Sequence, residues 1–365
     1  MGSYEGSNSG QIIVNVDEIP SGFCGAAYLT DDAAGLPGTV TRFEATNEER
    51  SFSLNAAVFP IDPNTATPSS WDAIRTLYAS DVRFPAFAEI HGQWTETSLT
   101  LSWKTDIGTY GHCVLFRPSE VGVSQIAAER MNWLDFKKYI AECAEKKLLF
   151  RGQREPWSLR TSFHRHGRAD LSRFLDEDIP LLQRNLSART RHVFDLTVPD
   201  QNGAFLNLAQ HHGYPTPLLD WTYSPYVAAF FAYRGLSNHA AAKTLEADCV
   251  RIYVFDQSKW RANLPQIQRL LIPTPHFSIM EFMAIDNDRM IPQQAASSVT
   301  NVENIESYIC SKESTGTKYL SAVDLPKRDR REVVRELQYM GVTAGSLFPG
   351  LDGACEDLKE RRFET

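Results

Sequence analysis

Residues 148–163 read LLFRGQREPWSLRTSF. The apolar run Leu148-Leu149-Phe150 ends at once in Arg151 and Gly152, and a second arginine follows at Arg160. A short apolar run of this kind reads as a buried strand. A guanidinium at its end stands close to the core and needs a partner there. Gly152 suits either a strand exit or the close approach of a ligand or a second backbone. Two readings compete: an anion site, or a strand end with a solvated arginine.

The surroundings are rich in arginine. Residues 150–191 hold nine Arg (151, 154, 160, 165, 168, 173, 184, 189 and 191), no Lys and five acids (Glu155, Asp170, Asp176, Glu177 and Asp178), in a chain whose net charge is −8. The negative total excludes a general polyanion binder but permits a local basic surface. Arginine grips phosphate with a rigid fork of donors. Single helical arginines read most simply as solvated faces, whereas Arg151, at the end of an apolar strand, does not.

The 365 residues exceed one small core and imply two domains. A composition of 42% hydrophobic and 22% charged residues is that of a globular protein. Six scattered Cys without a C-x-x-C pair exclude zinc-ribbon and thioredoxin readings and suggest reduced, buried thiols in a cytoplasmic protein. No apolar run reaches ~18 residues, and MGSYEGSNSGQ at the start has no apolar h-region. Neither a membrane span nor a signal peptide is expected.

Residues 1–9 are polar and predict disorder. From 10 to 118 the chain reads as an antiparallel β domain, a sandwich or barrel. QIIVNV (11–16), FSLNAAVF (52–59), TSLTLSWKT (97–105) and GHCVLF (111–116) are strands, and DIGTYG (106–111) is a hairpin turn. Near 119 the texture changes to mixed α+β, through 365. A helix is predicted over 124–147, started by Ser124 or again at Asn132. LLFRG is the next strand. A helical tract over 169–193 is broken or restarted at Pro180, and helices follow at 203–213 and 224–236. CVRIYVFD (249–256) is a buried strand, and 327–341 is an amphipathic helix closed by Gly341.

Two further stretches carry chemistry. In HHGYPTPLLDWTYSPYVAAFFAY (211–233), Asp220-Trp221-Thr222 ends a buried extended segment, before a helix begun by Ser224-Pro225. Trp221 and a tyrosine beside an arginine either sandwich a planar ring or fill the core. Asp220 reads equally as a cap, a partner for an arginine, or a functional acid. In FSIMEFMAIDNDRMIPQQAASSV (277–299), Glu281 sits among apolar residues, where its pKa rises unless an arginine pairs with it. Gln293-Gln294 follow Arg289 on an expected strand. His211-His212 and His164-x-His166 lack ligand spacing, so no metal is expected. G-x-S-x-G, P-loop and G-x-G-x-x-G motifs are absent. Cys-His hydrolysis has no local signature.

LLFRGQREPWSLRTSFHR, LAQHHGYPTPLLDWTYSPYVAAFFA, RMIPQQ and MGVTAGSLFPGLDG (340–353) together resemble the FRG domain family over about 130–355. The order of these motifs is similar to that of ADP-ribosyltransferases. The resemblance implies an ADP-ribosyltransferase-like α+β fold for 119–365 and NAD as substrate. Arg151 would clamp the pyrophosphate, flanked by Gly152, Gln153 and Arg160. Asp220, Trp221, Thr222 and Ser224 would form the nicotinamide-side motif. Gln293 or Gln294 would stand where the transferases place a Glu. The chain departs from the pattern at Ala295 and Ser297, and an amide cannot stabilise a cation by charge. Glu281, Asp220 or another acid must then supply the charge, or the protein is not this enzyme. The implied protein is a toxin or phage-defence effector that modifies RNA, DNA or protein, with an antitoxin or regulatory protein as a further partner. The competing class is a non-catalytic module that binds a nucleotide or nucleic acid.

Overall fold

The computed structural model describes residues 1–46, 50–116, 122–143 and 146–364. Eight strands open the chain: β1 (Gly2–Gly6), β2 (Gly10–Ile19), β3 (Gly22–Asp31), β4 (Thr39–Thr46), β5 (Ser51–Pro60), β6 (Phe87–Trp94), β7 (Ser98–Thr105) and β8 (Tyr110–Phe116). Each pairs antiparallel with the next, and β1 also pairs with β8, so the sheet closes into a barrel without edges. A helical turn, α1 (Trp71–Ile74), followed by a tighter turn over Arg75–Leu77, interrupts the β5–β6 connection.

The two-residue period decides which side chains point inward. Ile12, Val14, Leu99, Leu101, Trp103 and Leu115 face the lumen. Ile13, Ala26, Tyr28 and Val40 instead pack outside the wall, with Leu271 of the second body against them. The turn after β7 contains Gly108 at φ +87°, where a left-handed residue is required. The expectation of disorder for residues 1–9 is corrected: Gly2–Gly6 is the strand that closes the barrel. Its hydrogen bonding to β2 and β8 holds it, and Tyr4 is its one buried residue, so composition gave little sign of it.

The second body contains β9 (Ala128–Arg130), α2 (Trp133–Glu142), β10 (Leu148–Gln153), α3 (Ser162–Arg165), α4 (Leu171–Arg173), α5 (Ile179–Ser187), α6 (Pro199–His211), β11 (Leu218–Thr222), α7 (Pro225–Tyr233), α8 (Asn238–Ala242), β12 (Cys249–Asp256), α9 (Gln257–Asn263), β13 (Phe277–Met280), β14 (Ala295–Thr300), α10 (Ile305–Ser311), β15 (Leu320–Pro326), α11 (Arg330–Tyr339), α12 (Ala344–Leu347) and α13 (Leu351–Phe363). Its seven strands run in the order β13-β14-β11-β10-β12-β15-β9, and only β9 lies parallel to its neighbour. One face packs Phe150, Ile252 and Val254 against Trp133, Phe136, Ala228 and Leu337. The other packs Leu149, Tyr253 and Phe255 against Trp260, Ile305 and Ile309.

The helix expected over 124–147 is shorter, because Ala128–Arg130 joins the sheet and Asn132 caps α2 by accepting from Asp135 N. Ser124 donates to buried Glu306 instead of capping a helix. Pro180 opens α5, after a wide turn over Phe174–Asp178.

The two bodies meet at Asp17. This fully buried carboxylate accepts from Arg168 Nε at 2.5 Å and from the main-chain N of Ala169 and Asp170 at 2.6 and 3.0 Å. The boundary read near residue 119 lies outside the described residues. Cys24, Cys113 and Cys143 are buried as expected, whereas Cys310 and Cys355 are exposed. Among the described residues no helix is long and apolar enough to cross a membrane, and no group of His, Cys, Asp and Glu could hold a metal ion.

Candidate functional site

β10 and β11 share a single registered pair, Phe150 with Thr222. On their other sides, β10 pairs with β12 over six positions and β11 with β14 over five. The sheet is therefore firm on both flanks and forked between β10 and β11. The fork opens into a cleft of about 860 Å³, lined on one prong by Arg151, Gly152 and Gln153 and on the other by Asp220 and Thr222. Gln293, 71 residues beyond Thr222 in the chain, joins them there.

Arg151 crosses the fork. Its Nη1 donates to the main-chain carbonyl of Asp220 at 2.7 Å, and its buried Nε has no partner. It forms no salt bridge among the described residues. Burial pulls its pKa down to about 10, against the nearby charge of Asp220, so it stays cationic at neutral pH. Six arginines line the cleft: 151, 154, 160, 165, 234 and 289. Among the described residues two of them are paired, Arg160 with Glu303 and Arg234 with Glu356. The one carboxylate among the lining residues is Asp220.

Asp220 is held in place. Its carboxylate accepts from Gln210 Nε2, whose Oε1 accepts from the buried Thr216 hydroxyl. Desolvation by the surrounding walls pushes its pKa up, opposed by Arg151, the Gln210 bond and Arg165. Asp220 is nevertheless exposed, on the wall of the cleft it lines.

The remaining predicted residues divide. Thr222 Oγ1 donates to the main-chain O of Gln293 at 2.7 Å and accepts from Ser224 N at 3.0 Å, tying the two motifs together. The Gln293 amide donates to Leu347 O at 2.9 Å. Gly152 lies against α7: a Cβ there would stand 1.8 Å from Ala228 O, so the missing side chain serves helix packing. Trp221 borders the cleft but is 2% exposed, donates to Ser298 Oγ and packs on Phe255, as a core residue does. Ser224 is the N-cap of α7 and does not line the cleft. Gln294 is exposed at φ +46° and is also outside the lining. Glu281 is not in an apolar setting: β13 ends at Met280, and Glu281 emerges exposed, accepting from Tyr223 Oη at 2.6 Å beside Arg261. It is not among the residues lining the cleft.

Residues 146–241 match the FRG domain family. No curated protein and no solved structure matches the chain. The FRG segment contains Arg151, Gly152, Asp220 and Thr222, so both prongs of the fork fall within it. It is narrower than the 130–355 read from the motifs, leaving Gln293 and the barrel outside. Sequence reading assigned no role to Gln210, Arg234 or Phe348. Gln210 lies in the LAQHHG stretch inside the FRG segment, and Phe348 in the closing MGVTAGSLFPGLDG stretch outside it. The Phe348 ring is faced by Arg234 at 4.1 Å and Arg289 at 5.1 Å, which gives the far wall of the cleft two cations on one aromatic.

Proposed function

We propose that the cleft binds the pyrophosphate of NAD and that this FRG protein transfers ADP-ribose to an acceptor. The observation that carries the reading is Arg151, positioned by a neutral carbonyl and without an ion-pair partner among the described residues, in a cleft whose lining includes the acid Asp220. A cation kept uncompensated in a cleft of nucleotide size invites an anion. In the reaction the C1′–N bond of the nicotinamide riboside breaks and its electron pair leaves on nicotinamide. The ionised Asp220 stabilises the oxocarbenium ion by charge. The acceptor nucleophile then bonds to C1′ and gives its proton to Asp220. Thr222 and Gln293 position the wall on which the ribose rests.

The arginine-rich rim suits a nucleic-acid acceptor, with a protein as the alternative. The setting is a cytoplasmic effector in a toxin–antitoxin or phage-defence system, restrained by a partner protein. Incubation with NAD, with and without RNA or DNA, should release nicotinamide, and Arg151→Ala should abolish the release while the melting curve stays cooperative. NAD binding without turnover would instead establish the non-catalytic nucleotide-binding module.

A further inference from the structure

The barrel is not filled. Eight strands enclose a space just wide enough either to be packed with side chains or to hold one small ligand. Here the inner positions include Val14, Ala27, Thr41, Val58 and Ala88, all small. Two inner positions lack a side chain: the Phe52 ring covers Gly92 and the Trp103 ring covers Gly111. The result is a cavity of about 1230 Å³ that runs through the lumen to the junction with the second body, with a predominantly apolar wall. An apolar cavity of this kind takes up apolar molecules rather than ordered water.

The mouth at the junction is charged. Three arginines meet there. Arg160 is paired with Glu303, and Arg168 with Asp17 and Asp178. Arg165 donates only to the main-chain O of Arg160 and forms no salt bridge among the described residues. His164 beside it is buried and held neutral, its pKa pulled down to about 3 by desolvation and then by Arg160. The cation at this mouth without an ion pair among the described residues is therefore Arg165, whose nearby protein charge is Asp220 of the adjoining cleft. At the far end Arg83 is exposed to solvent, where a charge is screened.

We propose that the barrel lumen is a binding site for a single-chain amphiphile, its apolar tail in the lumen and its anionic head against Arg165. Arg165 and Arg160 also line the FRG cleft, so the head group would sit where the two cavities meet.

The test uses the full chain with decanoate, and 1-decanol as the neutral-head control. Trp94 and Trp103 line the lumen and report binding by their fluorescence. Decanoate should bind saturably and with at least tenfold higher affinity than decanol. Ala27→Phe and Ala88→Phe, on different strands, should each weaken decanoate at least tenfold. Arg165→Gln should abolish the preference for decanoate over decanol, and Arg83→Gln should leave it intact. 10-Bromodecanoate should quench the tryptophans beyond the effect of decanoate, a contact readout that does not depend on the lumen variants folding. No saturable binding, no extra quenching by the brominated chain, or a head preference lost with Arg83→Gln and kept with Arg165→Gln would each overturn the proposal.

Discussion

Gly152→Ala is the substitution that most directly separates packing from chemistry. An alanine Cβ would stand 1.8 Å from Ala228 O and 2.8 Å from both Ala228 C and Ala232 N, all main-chain atoms of α7. Side-chain carbons essentially never approach closer than 3.0 Å, so the helix must withdraw by about 1.2 Å. It cannot do so freely: Ala228, Ala229 and Ala232 are all fully buried between the helix and the sheet. Overpacking typically costs about 1–3 kcal/mol, and with no flexible side chain to yield we place this case at about 3. At roughly 2–4 °C per kcal/mol for a body of this size, melting should fall by about 6–12 °C. The same withdrawal moves Ala228 and Phe231, which line the cleft, so pyrophosphate or NAD should bind more weakly in a titration. Because the obstructing atom is a carbonyl oxygen, adding Ala228→Gly should restore nothing. A Gly152→Ala protein that melts within 2 °C of the parent, or a double variant that recovers, would refute the packing role.

Arg151→Lys should lose at least tenfold in NAD affinity, because an ammonium cannot donate to Asp220 O and a phosphate with the same planar fork; calorimetric titration checks this. Asp220→Asn should keep NAD binding, lose nicotinamide release and raise the melting temperature, since burial raises the pKa of this acid and its ionised form costs stability at neutral pH. For the same reason the parent's activity should fall with decreasing pH at a point above the usual range of aspartates, near 3.9. Asp17→Ala should cost about 3 kcal/mol, the low end for a broken buried pair because Asp178 still holds Arg168 at 3.0 Å, and limited proteolysis should then separate the barrel from the second body. His164 and His276 are buried neutral, with pKa values lowered by desolvation to about 3 and about 4. The unfolded chain binds these protons first, so stability should be lost as pH falls below ~6.5, by up to ~1.4 kcal/mol per pH unit for each histidine, read from denaturant midpoints.

The legible parts of the sequence were those with a clean period or a strong cap. β7 alternates over Ser98–Thr105 and was found almost to the residue, as was β10, and the start of α7 at Ser224-Pro225 was read correctly although the helix ends at Tyr233, before the expected 236. β3 went unread because Gly22, Gly25, Ala26 and Ala27 give it neither alternation nor β-branched bulk, although it is the most buried wall of the barrel. The strand Ala128–Arg130 was hidden in a helical pattern, and only its partner β15, nearly two hundred residues on, determines its state. For the site, the motif residues Arg151, Asp220, Thr222 and Gln293 were readable by type, and the structure brings them to one cleft. The support of Asp220 by Gln210 and Thr216 was not readable, because it depends on how α6 and the following turn pack against β11. At Gly152 the sequence left ligand and backbone approach open, and the α7 backbone fills the space: a missing Cβ looks the same in sequence whether a phosphate or a helix lies against it.

The fork between β10 and β11 also accounts for the choice of partner at Arg151. Had a carboxylate met the guanidinium, the pair would be neutral and the strands would be held by charge. A main-chain carbonyl instead fixes the direction of Nη1 while leaving the full positive charge in the cleft. The nearest acid, Asp220, is bonded to Gln210 and makes no ion pair with Arg151 among the described residues, while desolvation raises its pKa. Two charges of opposite sign, a strand apart and each held by a neutral group, are an expensive arrangement for stability alone. A ligand that carries phosphate at one end and develops positive charge at the other would satisfy both at once, which is the chemistry expected when nicotinamide leaves NAD.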